Sequence, residues 1–177
     1  MRMPALVAVA AATVLSAHSA GAQTTDTTAT AVERGVSACN AIVLARTEPA
    51  ATAAIVRREG LQASPTKPPL LQKHLFPNSA RVDWWGIASS RGTVLVAVDP
   101  GAATCTVFLL GEQGGPVITY MASRMKDWSR YPTENAGQTL LYRTAATGGT
   151  QVLDMHDGGA ITDPTMIGAL FQSKILK

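Results

Sequence analysis

Residues 93–110 read TVLVAVDPGAATCTVFLL, two apolar runs on either side of DPGAA. The first run is rich in β-branched valine, and the second places Cys105, Val107 and Leu109 on alternate positions, the row that one face of a strand presents. Pro100 and Gly101 supply the backbone of a tight turn between them. The stretch therefore predicts an antiparallel hairpin, with strands over Thr93–Val98 and Thr104–Leu110. Thr93–Val98 is apolar on both faces, and Phe108 and Leu110 lie opposite the cysteine row. Both faces of the hairpin thus need cover, from other elements of the chain or from a partner.

Further strand signals flank it. Arg81–Ala88 (RVDWWGIA) predicts a preceding strand, joined through SSRG, while Thr139–Arg143 and Thr150–His156 predict a second hairpin around ATGG. Helical periodicity appears in two places. Thr30-Ala-Val-Glu33 matches a capping box, and Val32, Val36, Cys39 and Val43 follow on one helical stripe. Glu48-Pro49 should bend that helix, Ala50–Glu59 should restart it, and Gly60 is a stop signal. Val117, Met121, Met125 and Trp128 form a second amphipathic stripe, better explained as core than as a cofactor box.

Leu61–Ser79 contains Pro65, Pro68, Pro69 and Pro77, which argues against regular structure, with Leu70, Leu71, Leu75 and Phe76 pinning it to the surface. Asp163-Pro164 reads as the cap and first residue of a last helix running through Phe171, although Gly168 weakens that helix and leaves a final strand as the alternative. The expected fold is α+β. An antiparallel sheet of about five strands packs with helices in the order α(α)-βββ-α-ββ-α, as one domain over residues 30–177. A shift of 46 residues lays Thr93–Lys126 over Thr139–Gln172 and suggests a duplicated strand-strand-helix unit.

The first residues, MRMPALVAVAAATVLSAHSAGAQ, have a basic head, a short apolar core and the small-x-small site Ala20-Gly21-Ala22. That pattern is a secretory signal peptide over residues 1–22, followed by a flexible polar leader over residues 23–29. Cleavage after Ala22 leaves 155 residues with 14 basic and 12 acidic side chains and no membrane anchor. Only Arg57-Arg58 are adjacent among the basic residues, so nucleic-acid binding is not expected. In an oxidising compartment Cys39 and Cys105, both on apolar stripes, predict one disulfide rather than a nucleophile or a metal ligand.

Chemistry-bearing residues are sparse. In VLDMHDGG (152–159), inward Leu153 and Met155 would place Asp154 and His156 together on the opposite strand face, with Asp157 at the turn. With His74 or Glu134 these could form a small hydrolase or metal site, although zinc needs at least three protein ligands. The glycine-rich GEQGGP and HDGG lack phosphate-loop spacing, and no cofactor motif is present. Asp83-Trp84-Trp85 offers a binding alternative, because one of two adjacent strand tryptophans fills the core while the other lies near the surface. The residues therefore favour an exported, soluble, non-catalytic binding or interaction module without a cofactor. Its partner would be a protein or envelope component, engaged through Trp84 and Trp85 or through Asp154 and His156, and a homodimer is a further option.

Overall fold

The computed structural model describes residues 27–64, 69–158 and 167–176, apart from the side chains of Leu70 and His74. The expected signal peptide and the leader up to residue 26 lie outside the described residues. The chain runs α1 (Thr28–Leu44), α2 (Pro49–Arg58), β1 (Gln62–Ala63), α3 (Pro69–Leu75), β2 (Asp83–Ile87), β3 (Thr93–Asp99) and β4 (Thr104–Leu110). It continues through α4 (Gly114–Arg124), β5 (Ser129–Tyr131), β6 (Gln138–Thr144), β7 (Thr150–Asp157) and β8 (Ala169–Leu176). All pairings are antiparallel, in one eight-stranded sheet of order β1-β2-β3-β4-β8-β7-β6-β5. Two four-strand meanders thus meet in the middle, where β4 pairs with β8.

This corrects the five-strand expectation to a structure that is mostly sheet, with eight strands and four helices among the described residues. β1 and β5 are edge strands of two and three residues, too short to carry an alternating pattern. The last segment is a strand and not a helix. Ala169, Phe171 and Ser173 alternate with Leu170, Gln172 and Lys174, and pairing with β4 and β7 on both sides decides it. The Asp163-Pro164 cap lies outside the described residues. The 46-residue unit fails at its third element, because the shift carries α4 onto a span whose end enters β8, although the two hairpins do correspond. The proline-rich stretch also holds more regular structure than expected, in β1 and α3.

The helix α1 begins two residues before the expected capping box. Thr27 is its N-cap, with Oγ1 accepting from the Thr30 amide at 3.3 Å. Glu33, freed from that role, accepts from Tyr120 Oη at 3.0 Å and Arg124 Nε at 3.2 Å, tying α1 to α4. The hydrogen bond to Glu33 raises the Tyr120 pKa above its ordinary value. The helix α4 stops at Arg124, so Met125 and Trp128 pack against the core from beyond its end. Trp128 then receives the Arg143 guanidinium, 4.5 Å from its ring centre.

The main core lies between the sheet and α1, α2 and α4. Val32, Val36, Cys39 and Val43 of α1 face Val94, Val96, Cys105, Val107, Leu153 and Phe171. Cys39 and Cys105 form the expected disulfide. Beside it, Ser173 Oγ donates to Asn40 Oδ1 at 2.9 Å, and Gln151 Nε2 donates to Asn40 O at 3.2 Å. Ser173 is the register partner of Cys105, so consecutive helix residues fasten α1 to neighbouring strands at one level. A second cluster covers the other face over β2–β4, where Leu71, Phe76 and Val82 pack on Trp84, Leu95, Ala97 and Phe108. Three glycines close the junction between the meanders. A Cβ at Gly168 would sit 1.6 Å from Glu112 O, while its amide donates to Leu109 O at 2.7 Å.

Two outcomes follow for stability. Replacing Cys39 and Cys105 together with serine should lower unfolding free energy in urea by about 4 kcal/mol, since the bond closes a loop of 66 residues. Gly168→Ala should cost about 3 kcal/mol in the same assay, because backbone rather than a side-chain tip must move.

Candidate functional site

A groove of about 1120 Å³ lies at the β1/β2 end of the molecule. Its helical wall is the stripe Pro49, Thr52, Ala53, Val56 and Arg57, whose spacing presents one face of α2. Opposite stand Asp83, Trp84 and Trp85 of β2, the segment Asn78–Arg81 and the turn from Val98 to Ala102. Leu61 and Ala63 complete an apolar lining. Both tryptophans singled out from the sequence therefore border one cavity. Alternation divides them between the faces of the sheet: Trp84 is 4% exposed within the second cluster, and Trp85 is half-buried against the main core.

The acidic groups of the groove are already engaged. Asp99, buried, accepts from the Gly101 and Ala102 amides at 2.9 and 3.1 Å and from Ser79 Oγ. Asp83 takes both ends of the Arg81 fork, at 2.8 and 2.9 Å. The Asp83 hydrogen bond, reinforced by its charge, raises the pKa of Arg81, whose charge is therefore fixed. Arg57 is exposed and has no hydrogen bond or ion pair to another side chain among the described residues. Behind the walls, Thr52 Oγ1 and Trp84 Nε1 are buried with no partner among the described residues. A lost hydrogen bond of that kind costs about 1–3 kcal/mol. Thr47, buried on the rim, has φ 55°, a left-handed conformation unfavourable for a β-branched residue.

The second constellation assembles only in part. Asp154 Oδ1 and His156 Nε2 are 2.9 Å apart on the sheet face away from α1, and Gln138 Nε2 donates to the same Asp154 oxygen at 2.9 Å. Gln138 was not visible as a partner in the sequence, because only the β6–β7 register sets it opposite His156. Asp157 points to the other face. It lines a cavity of about 470 Å³ with Gly111–Pro116, Gly158 and Gly168. A Cβ at Gly115 would lie 3.4 Å from Asp157 Oδ2, so this carboxylate sits by the first turn of α4, which favours negative charge. Glu134 is exposed with no bond to the pair among the described residues, and the His74 side chain lies outside them. Among the described residues no three His, Cys, Asp or Glu side chains converge as a metal site would require.

Among the described residues no helix is long and apolar enough to cross a membrane. The chain matches no protein-family model, no curated protein and no solved structure. The groove residues that sequence reasoning missed are Thr52, Ala53 and Arg57. Their spacing on α2 was legible, but which surface that stripe would face was not.

The two tryptophans should separate by assay. Trp84→Ala empties a buried site and should cost about 3–5 kcal/mol in urea unfolding. Trp85→Ala, on the groove wall, should cost less than half as much. Equal losses would show that Trp85 is simply another core residue.

Proposed function

We propose that this protein is an exported, non-catalytic binding module that holds an envelope component in the groove between α2 and β2. The observation that carries the reading is the groove itself: apolar, about 1120 Å³, walled by Trp85 and backed by two unpartnered buried polar groups. Sites for small ligands have this character, concave and apolar with a few polar groups around them. Export is supported by the signal-like first 22 residues, and the disulfide agrees with an oxidising compartment.

A neutral fluorescent probe, N-phenyl-1-naphthylamine, should bind at one saturable site and quench tryptophan emission. Ala53→Trp fills the groove from an exposed helix position and should weaken that binding at least about tenfold without loss of fold. Undiminished binding to the Ala53→Trp protein would remove the groove from consideration. The exported protein should also begin at Gln23 on N-terminal sequencing.

A further inference from the structure

We infer that the groove selects an apolar carboxylate, an acyl-chain or aryl acid whose hydrocarbon lies between α2 and Trp85 and whose head group meets Arg57. This names the ligand class of the groove and rests on the binding reading above. The inference follows from which charged groups around the cavity already have partners. Among the described residues four ionisable side chains line it: Arg57, Arg81, Asp83 and Asp99. Arg81 and Asp83 neutralise each other in a two-bond fork. Asp99 is buried and its oxygens accept from two backbone amides and the Ser79 hydroxyl, so it is held as an acceptor with its donors already in place. Arg57 alone is exposed and without a side-chain partner among the described residues.

The unmet capacity of the groove is therefore that of a donor and a positive charge, not of an acceptor. Trp84 Nε1 can only donate, and the Thr52 hydroxyl can donate as well. Both residues line the groove and both atoms are buried without partners among the described residues, so a ligand oxygen that reached either would remove a standing cost. Around these groups the lining is hydrocarbon: Pro49, Ala53, Val56, Leu61 and the Trp85 ring. A guanidinium at the margin of an apolar slot pairs with a carboxylate through parallel hydrogen bonds, while the slot excludes fully polar anions. A neutral alcohol of the same chain length would gain the apolar contact only, and an alkylamine would meet Arg57 as a like charge.

The test is competition against N-phenyl-1-naphthylamine by decanoate, decanol and decylamine on the full folded protein. Decanoate should displace the probe with an affinity at least about tenfold above that of decanol, and decylamine should be the weakest. Arg57→Gln, at an exposed position, should abolish the preference for decanoate and leave decanol unchanged. High salt should reduce decanoate binding alone. If decanoate and decanol compete equally, or Arg57→Gln leaves the preference intact, the ligand class is wrong while the groove reading stands. If none of the three displaces the probe and the Ala53→Trp protein behaves as wild type, both fall together.

Discussion

Everything in this molecule depends on the antiparallel seam between β4 and β8. The two meanders share no other strand pairing, so a continuous eight-stranded sheet exists only because Cys105–Leu109 lies against Ala169–Ser173. Helix α1 is laid across that seam and fixed to both sides of it. Cys39 bonds covalently to Cys105 on β4, and the next residue, Asn40, takes a hydrogen bond from Ser173 on β8. Asn40, Gln151 and Ser173 are buried and hydrogen-bonded to one another, and Gln151 also accepts from Arg143 at 2.8 Å. The disulfide limits the unfolded chain, whereas the Asn40 network specifies the position of the helix along the seam.

Central placement of the seam has a consequence for the faces of the sheet. The helix-covered face is continuous from Ile87 to Leu141, whereas on the opposite face the buried cluster of the described residues runs over β2–β4 and reaches Leu170 of β8, with Leu71, Phe76 and Val82 packed on it. Over β5–β7 that face carries the exposed Tyr131 and Tyr142 beside Asp154 and His156. The groove lies at the far end from that patch, where α2 turns away from α1 through left-handed Arg46 and Thr47. After this turn the Thr52–Val56 stripe of α2 faces β2 and Leu61 across the groove. The cavity is therefore a product of how two helices are joined, and its charge is a product of which arginine finds an acid.

How much could be read beforehand follows from the range over which each signal acts. The hairpins β3–β4 and β6–β7, the α1/α2 bend and the pairing of the cysteines were legible because period, turn chemistry and redox compartment are local or have one solution. That one of Trp84 and Trp85 is in the core and the other nearer the surface was legible from strand alternation, whereas which is which was set by the fold. The adjacency of Asp154 and His156 was likewise legible, but the separation of Asp157 was not, since it read as a turn residue whereas β7 continues through it and alternation then sends it to the other face. Thr30–Glu33 had the form of a capping box, yet Glu33 serves α4 instead, because a cap three residues earlier satisfies the helix start.

By itself, the sequence determined which segments alternate, where α1 and α2 divide and which two sulfurs meet. These depend on backbone preferences and on a choice with a single outcome. Only the tertiary structure decided that the last segment is a strand, because Ala169–Leu176 has its neighbours in β4 and β7, far away along the chain. It alone made strands of Gln62–Ala63 and Ser129–Tyr131, which have no pattern of their own and take their form from the strand they join. It also decided that Arg57 would face an apolar groove while Arg81 was paired, since a charge acquires its role from the groups that the fold brings within a few ångströms.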